Sequence, residues 1–139
     1  MKRIQFTIRY PERRRHPLQQ RIMRGTTVSR AELLNWTPTD DATTLFWFDG
    51  DSSTVDTVIE SIDSLEDRSL VAGSEGTYAF LRQASYEFPP ELLELLAAAR
   101  VIFLPPVVFL DSGDVRFEAV GEAGDISSFH DRLSQLGTL

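Results

Sequence analysis

From Arg3 to Arg9 apolar and polar residues alternate, so that Ile4, Phe6 and Ile8 fall on one side of an extended chain; this predicts a strand with one buried face. Pro17 then stands at a helix start, Leu18 and Ile22 lie four apart and Gly25 closes the run, which predicts a short helix over 16–25. Val28, Leu33, Leu34 and Trp36 lead into the turn-forming cluster 37–41 and out through Thr43 to Phe48, the pattern of a hairpin. Val55, Val58, Ile59 and Ile62 recur at helical spacing, with Ser53 and Asp56 placed as a capping pair, and predict an amphipathic helix over 53–62. Strands are expected at 69–72 and 77–82, joined by Ser74, Glu75 and Gly76. Pro89 and Pro90 introduce a third helix over 91–100, striped by Leu92, Leu95, Leu96 and Ala99. The apolar stretch 101–110, the turn 111–114 and the alternation of 115–120 predict a second hairpin. Ile126, Phe129, Leu133 and Leu136 mark a last helix that ends near Gly137.

In order, these elements read β-α-β-β-α-β and then β-α-β-β-α. The second part repeats the first without its closing strand, which places the chain in the α+β class as two tandem ferredoxin-like, ACT-like βαββαβ halves, 1–75 and 76–139. Each half is expected to be an antiparallel sheet with its helices on one face. The uncovered faces and the open edge left by the missing strand call for burial against a neighbour, so a homodimer is expected.

Composition adds limits. The chain has 139 residues and no cysteine, which excludes disulfides, thiolate metal sites and cysteine nucleophiles. The longest apolar run, 101–110, is broken by Pro105 and Pro106 and is far short of the roughly 20 residues that span a bilayer. The basic N-terminus alternates instead of forming a continuous apolar stretch, so no secretory signal is read and a cytoplasmic location is expected. Charge is divided sharply: residues 1–30 carry +8, the remainder −15, and the whole −7. One lysine beside thirteen arginines, in an acidic chain, fits a salt-loving source.

Candidate chemistry is sparse. Of the two histidines, His16 precedes a proline at a helix start, where capping or packing is the plainer role, and His130 neighbours Asp131 on one helix, a spacing unsuited to a His–Asp relay. The carboxylate pairs Asp40 with Asp41, Glu66 with Asp67, and Asp49 with Asp51 fall in turn-forming sequence, where such residues bond their own backbone. No phosphate-cradling glycine motif is present, and neither a metal site nor a cofactor is expected. Arg13, Arg14 and Arg15 form the candidate nucleic-acid patch, to be weighed against simple pairing with the acidic remainder. Aromatics give the remaining signal. Phe46 and Phe48 on one side of a strand suit the helix-covered core, while Trp47 with Leu45 faces the other way. Trp36, Trp47 and His16 are therefore the candidates for an apolar ligand pocket or a protein interface.

The early strand, His16 with Pro17 at the first helix, the Trp36-to-Phe48 hairpin interrupted by Asp40 and Asp41, and Gly50 with Asp51 before the next helix carry a family resemblance. Together with the acidic, lysine-poor composition, this layout resembles the N-terminal domain of haloarchaeal bacterio-opsin-activator-like helix-turn-helix transcription regulators. The resemblance implies a non-enzymatic sensory or dimerising module that binds a small effector or a partner subunit. It also implies that DNA is met only through a helix-turn-helix segment beyond Leu139. ACT-type likeness would make a metabolite the effector. A stand-alone small ferredoxin-like enzyme or ligand-binding protein is the alternative.

Overall fold

The computed structural model describes residues 1–37 and 42–139. Alternation produces the strands as expected: β1 (Lys2–Arg9) buries Phe6 and Ile8, β3 (Ala42–Phe48) buries Ala42, Thr44, Phe46 and Phe48, and β5 (Thr77–Gln83) buries every second residue from Thr77. With β2 (Arg30–Trp36), β4 (Leu65–Ala72), β6 (Ile102–Leu110) and β7 (Asp114–Gly121), the described residues form seven strands and four helices. The helices are α1 (Pro17–Met23), α2 (Ser52–Ile59), α3 (Pro90–Ala98) and α4 (Ala123–Leu133). Their apolar stripes pack on the face that carries Phe6, Phe46, Leu81 and Phe117, and the opposite face of the sheet stays uncovered.

Two separate sheets are expected from the repeated element order; one sheet is found. Its order is β1-β7-β6-β2-β3-β5-β4, antiparallel at every pairing. β5 lies between β3 and β4, and β1 pairs along its whole length with β7, so strands of 1–75 and 76–139 share one ladder. The reason is that hydrophobic period fixes which face a strand buries but not its neighbour. In place of a final strand, residue Thr138 bridges back to Arg9 through two backbone hydrogen bonds of 2.8 Å. Gly137 permits this approach, since a Cβ there would lie 2.6 Å from the Arg9 carbonyl oxygen.

Local departures have physical causes. The cap of α2 is Asp51, whose Oδ1 accepts from the Thr54 amide at 2.8 Å, in place of the expected Ser53 and Asp56 pair. That bond holds the Asp51 carboxyl below the ordinary carboxylate range. Glu66 and Asp67 lie within β4 at a register shift, not in a turn. Asp40 and Asp41 lie outside the described residues. No helix among the described residues is long and apolar enough to cross a membrane.

Candidate functional site

The geometry of interest begins with two irregularities in the middle of the sheet. Between Leu33 and Asn35 the β2 ladder slips by one residue against β3. Simple alternation from Leu33 would send Trp36 to the uncovered face; the slip at Leu34 returns it to the helix side, opposite Thr44. Across the sheet, β6 absorbs two extra residues between Leu104 and Val108, which keeps Phe103, Val107 and Phe109 on that same side. Above these residues stands α3, packed beside α4.

Between α3 and the sheet lies a cavity of about 540 Å³. Trp36, Leu33, Val107 and Phe109 form its floor, and Leu92, Leu93 and Leu96 of α3 its roof. Tyr86 and Phe88 from the segment before α3 close one side, and Tyr10 another. The Tyr86 hydroxyl donates to the Thr37 carbonyl oxygen, tying this segment to the end of β2. Trp36 and Leu93 reach the surface, 38% and 37% exposed, and mark the mouth. Among the described residues no charged side chain lines the cavity. The space opens to solvent at that mouth, and small-molecule sites are concave, mostly apolar surfaces of this size.

His16 lies behind the wall. Its ring packs against Phe46, Phe88 and Phe109 at 5.2–6.2 Å between centroids, and its Nδ1 accepts from the Leu18 amide at 3.1 Å, capping α1. Burial among aromatic rings lowers its pKa to about 3, so the ring is neutral. Of the three aromatic candidates, then, Trp36 lines the cavity and His16 buttresses it.

A family model described as HVO_0513_N, N-terminal, matches residues 16–136. The chain belongs to this family. No curated protein and no solved structure matches it. The matched HVO_0513_N region takes in nearly every wall of the cavity, with Tyr10 just outside it.

Elsewhere in this HVO_0513_N chain the candidates have structural partners. Trp47 faces the uncovered side, where the Arg30 guanidinium lies 5.3 Å from its ring centroid and the β4–β5 turn folds against it. A Cβ at Gly76 would stand 2.7 Å from the indole, so glycine is required for that contact. Arg14 donates to the Leu136 carbonyl oxygen at 3.3 Å and Arg15 to that of Tyr10 at 3.2 Å; Arg13 alone of the three is exposed. Asp49 does not bond its own backbone as expected of a turn residue; its Oδ1 accepts from the Ser29 and Arg30 amides at the start of β2, 20 and 19 residues away. His130 and Asp131 approach to 3.4 Å on the exposed side of α4. No cluster of potential metal ligands occurs among the described residues.

Sequence reasoning missed Tyr10, Tyr86, Phe88 and the roof of the cavity. One signal was available: Leu92, Leu93, Leu95 and Leu96 cover more of the α3 circumference than a single core stripe needs. Leu95 is buried in the core, whereas Leu92, Leu93 and Leu96 border the cavity.

Proposed function

We propose that this chain is the N-terminal sensory and dimerisation module of a haloarchaeal helix-turn-helix transcription regulator. In this reading a small molecule in the cavity under α3 shifts the balance between two states of the module and so alters the DNA affinity of a segment beyond residue 139. The observation that carries it is the apolar cavity itself, built by the segment before α3 and that helix over the sheet, in a chain whose family match is an N-terminal one. The described lining offers only the hydroxyls of Tyr10, Thr37 and Tyr86 and the indole N–H of Trp36 as polar side-chain groups, which supports binding more than the alternative of a stand-alone enzyme.

The test uses the full-length gene product. Leu96→Trp fills the cavity with a ring, and a coupling of about 1–3 kcal/mol between module and reader predicts a change in DNA occupancy of about fivefold or more. Unchanged occupancy in a folded variant, or a reading frame with no DNA-binding segment, overturns the proposal.

Dimerisation is assigned to the uncovered sheet face. Val71 and Phe80 are 63% and 54% exposed there, with Tyr78 beside them, and a two-fold axis lets one patch cover its own copy. Sedimentation should show a dimer that Phe80→Glu converts to monomer; a monomeric wild type removes this part of the reading.

A further inference from the structure

The cavity's chemistry narrows what it can hold, and this step rests on reading it as an effector site. Its volume, about 540 Å³, is that of a small-molecule site and not of a peptide groove. No Arg, Lys, His, Asp or Glu lines it among the described residues. An ionised group brought inside would lose hydration with no opposite charge to replace it. A free amino acid, the effector that ACT-type likeness suggests, carries two such charges.

Two polar groups of the lining make no hydrogen bond among the described residues, the Trp36 indole N–H at the mouth, where the residue is 38% exposed, and the Tyr10 hydroxyl deeper in. Tyr10 is only 7% exposed and lines the cavity, yet its hydroxyl has no hydrogen-bond partner among the described residues. The hydroxyl of Tyr86, by contrast, is already donated to Thr37. The Tyr10 hydroxyl is not sealed off, since the buried side-chain atoms without a partner among the described residues are Gln19 Oε1 and Gln83 Nε2, so it is open to a hydrogen bond from within the cavity. Burial raises the Tyr10 pKa, so the group keeps its proton and remains a donor.

We infer that the cavity takes an uncharged, ring-bearing apolar molecule with one hydrogen-bond acceptor, and that the Tyr10 hydroxyl donates to that acceptor. Trp36 at the mouth and Phe109 on the floor supply the flat apolar surfaces.

Three naphthalene probes test this by calorimetry on the purified chain at neutral pH: 2-acetylnaphthalene, which is neutral with an acceptor, naphthalene, which has none, and ionised 2-naphthoate. The expected order is 2-acetylnaphthalene tighter than naphthalene by about three- to tenfold, the worth of one hydrogen bond, with 2-naphthoate weakest. Tyr10→Phe should abolish the preference for 2-acetylnaphthalene while leaving naphthalene binding intact, which also shows that the variant keeps its cavity. If 2-naphthoate binds as well as the ketone, or the ketone has no advantage over naphthalene in the wild type, the inference fails and the cavity survives as a site of other chemistry. If none of the three binds, or Leu96→Trp leaves their binding unchanged, the effector-site reading falls with it.

Discussion

His16 concentrates several physical effects in one side chain. Its Nδ1 serves the amide of Leu18, and its ring fills space between Phe88 and Phe109. Because the folded state holds it neutral, with a pKa of about 3 against an ordinary 6.5, the unfolded chain binds the proton first as pH falls. The contribution is fully present above pH 6.5 and is lost progressively toward pH 3, at up to about 1.4 kcal/mol for each pH unit. Thermal unfolding followed from pH 7.5 to pH 5 should therefore show a falling midpoint, and His16→Gln should flatten that slope while lowering the midpoint at pH 7.5. A slope identical in the two proteins would mean that His16 is not buried neutral. The capping role was readable from His16 preceding Pro17 at a helix start. Its aromatic surroundings were not, because Phe46, Phe88 and Phe109 arrive from three distant segments that no local spacing connects.

Among the elements, α3 differs from its neighbours in how its two apolar faces are used. Leu95 is buried in the core, while Leu96, one position on and about 100° around the helix, borders the cavity. The same substitution should then have opposite consequences. Leu95→Phe forces a larger group into filled space and should cost about 1–3 kcal/mol. Leu96→Phe extends into open volume, adds apolar contact, and should be neutral or stabilising by up to about 1 kcal/mol. Denaturant midpoints for the two variants decide the matter: equal losses would show that no cavity exists in solution. The helix itself follows directly from Pro89, Pro90 and the leucine spacing. The cavity does not, since it depends on the slip at Leu34 and the two-residue excess in β6, irregularities invisible to any count of period two.

At the scale of the molecule, element order was written in the sequence but strand pairing was not. The pattern supplied every helix and hairpin of the β-α-β-β-α-β repeat. The long-range ladders β1 with β7, β2 with β6 and β3 with β5 then merged the two parts into a single sheet. One global feature of the sequence does bear on that merger, the division of charge. Arg3 pairs with Glu118 and Arg9 with Asp114, at 3.0 Å for the latter, so the basic start of the chain meets acids of β7 across the very ladder that joins the ends. The Arg3 contact lowers the Glu118 pKa and raises that of Arg3, but the pair lies at the surface, with Arg3 exposed and Glu118 partly so, and such pairs stabilise little. Net charge of −7 acts in the other direction, as repulsion spread over the whole surface. Because each attraction is a short contact to a partly covered carboxylate and the repulsion acts over long distances, screening should remove more of the second than of the first. Raising KCl from 0.1 to 2 M is expected to increase the thermal midpoint by several degrees, a gain on the order of 1 kcal/mol. A midpoint that falls with salt would show instead that the β1–β7 pairs outweigh the excess of acid.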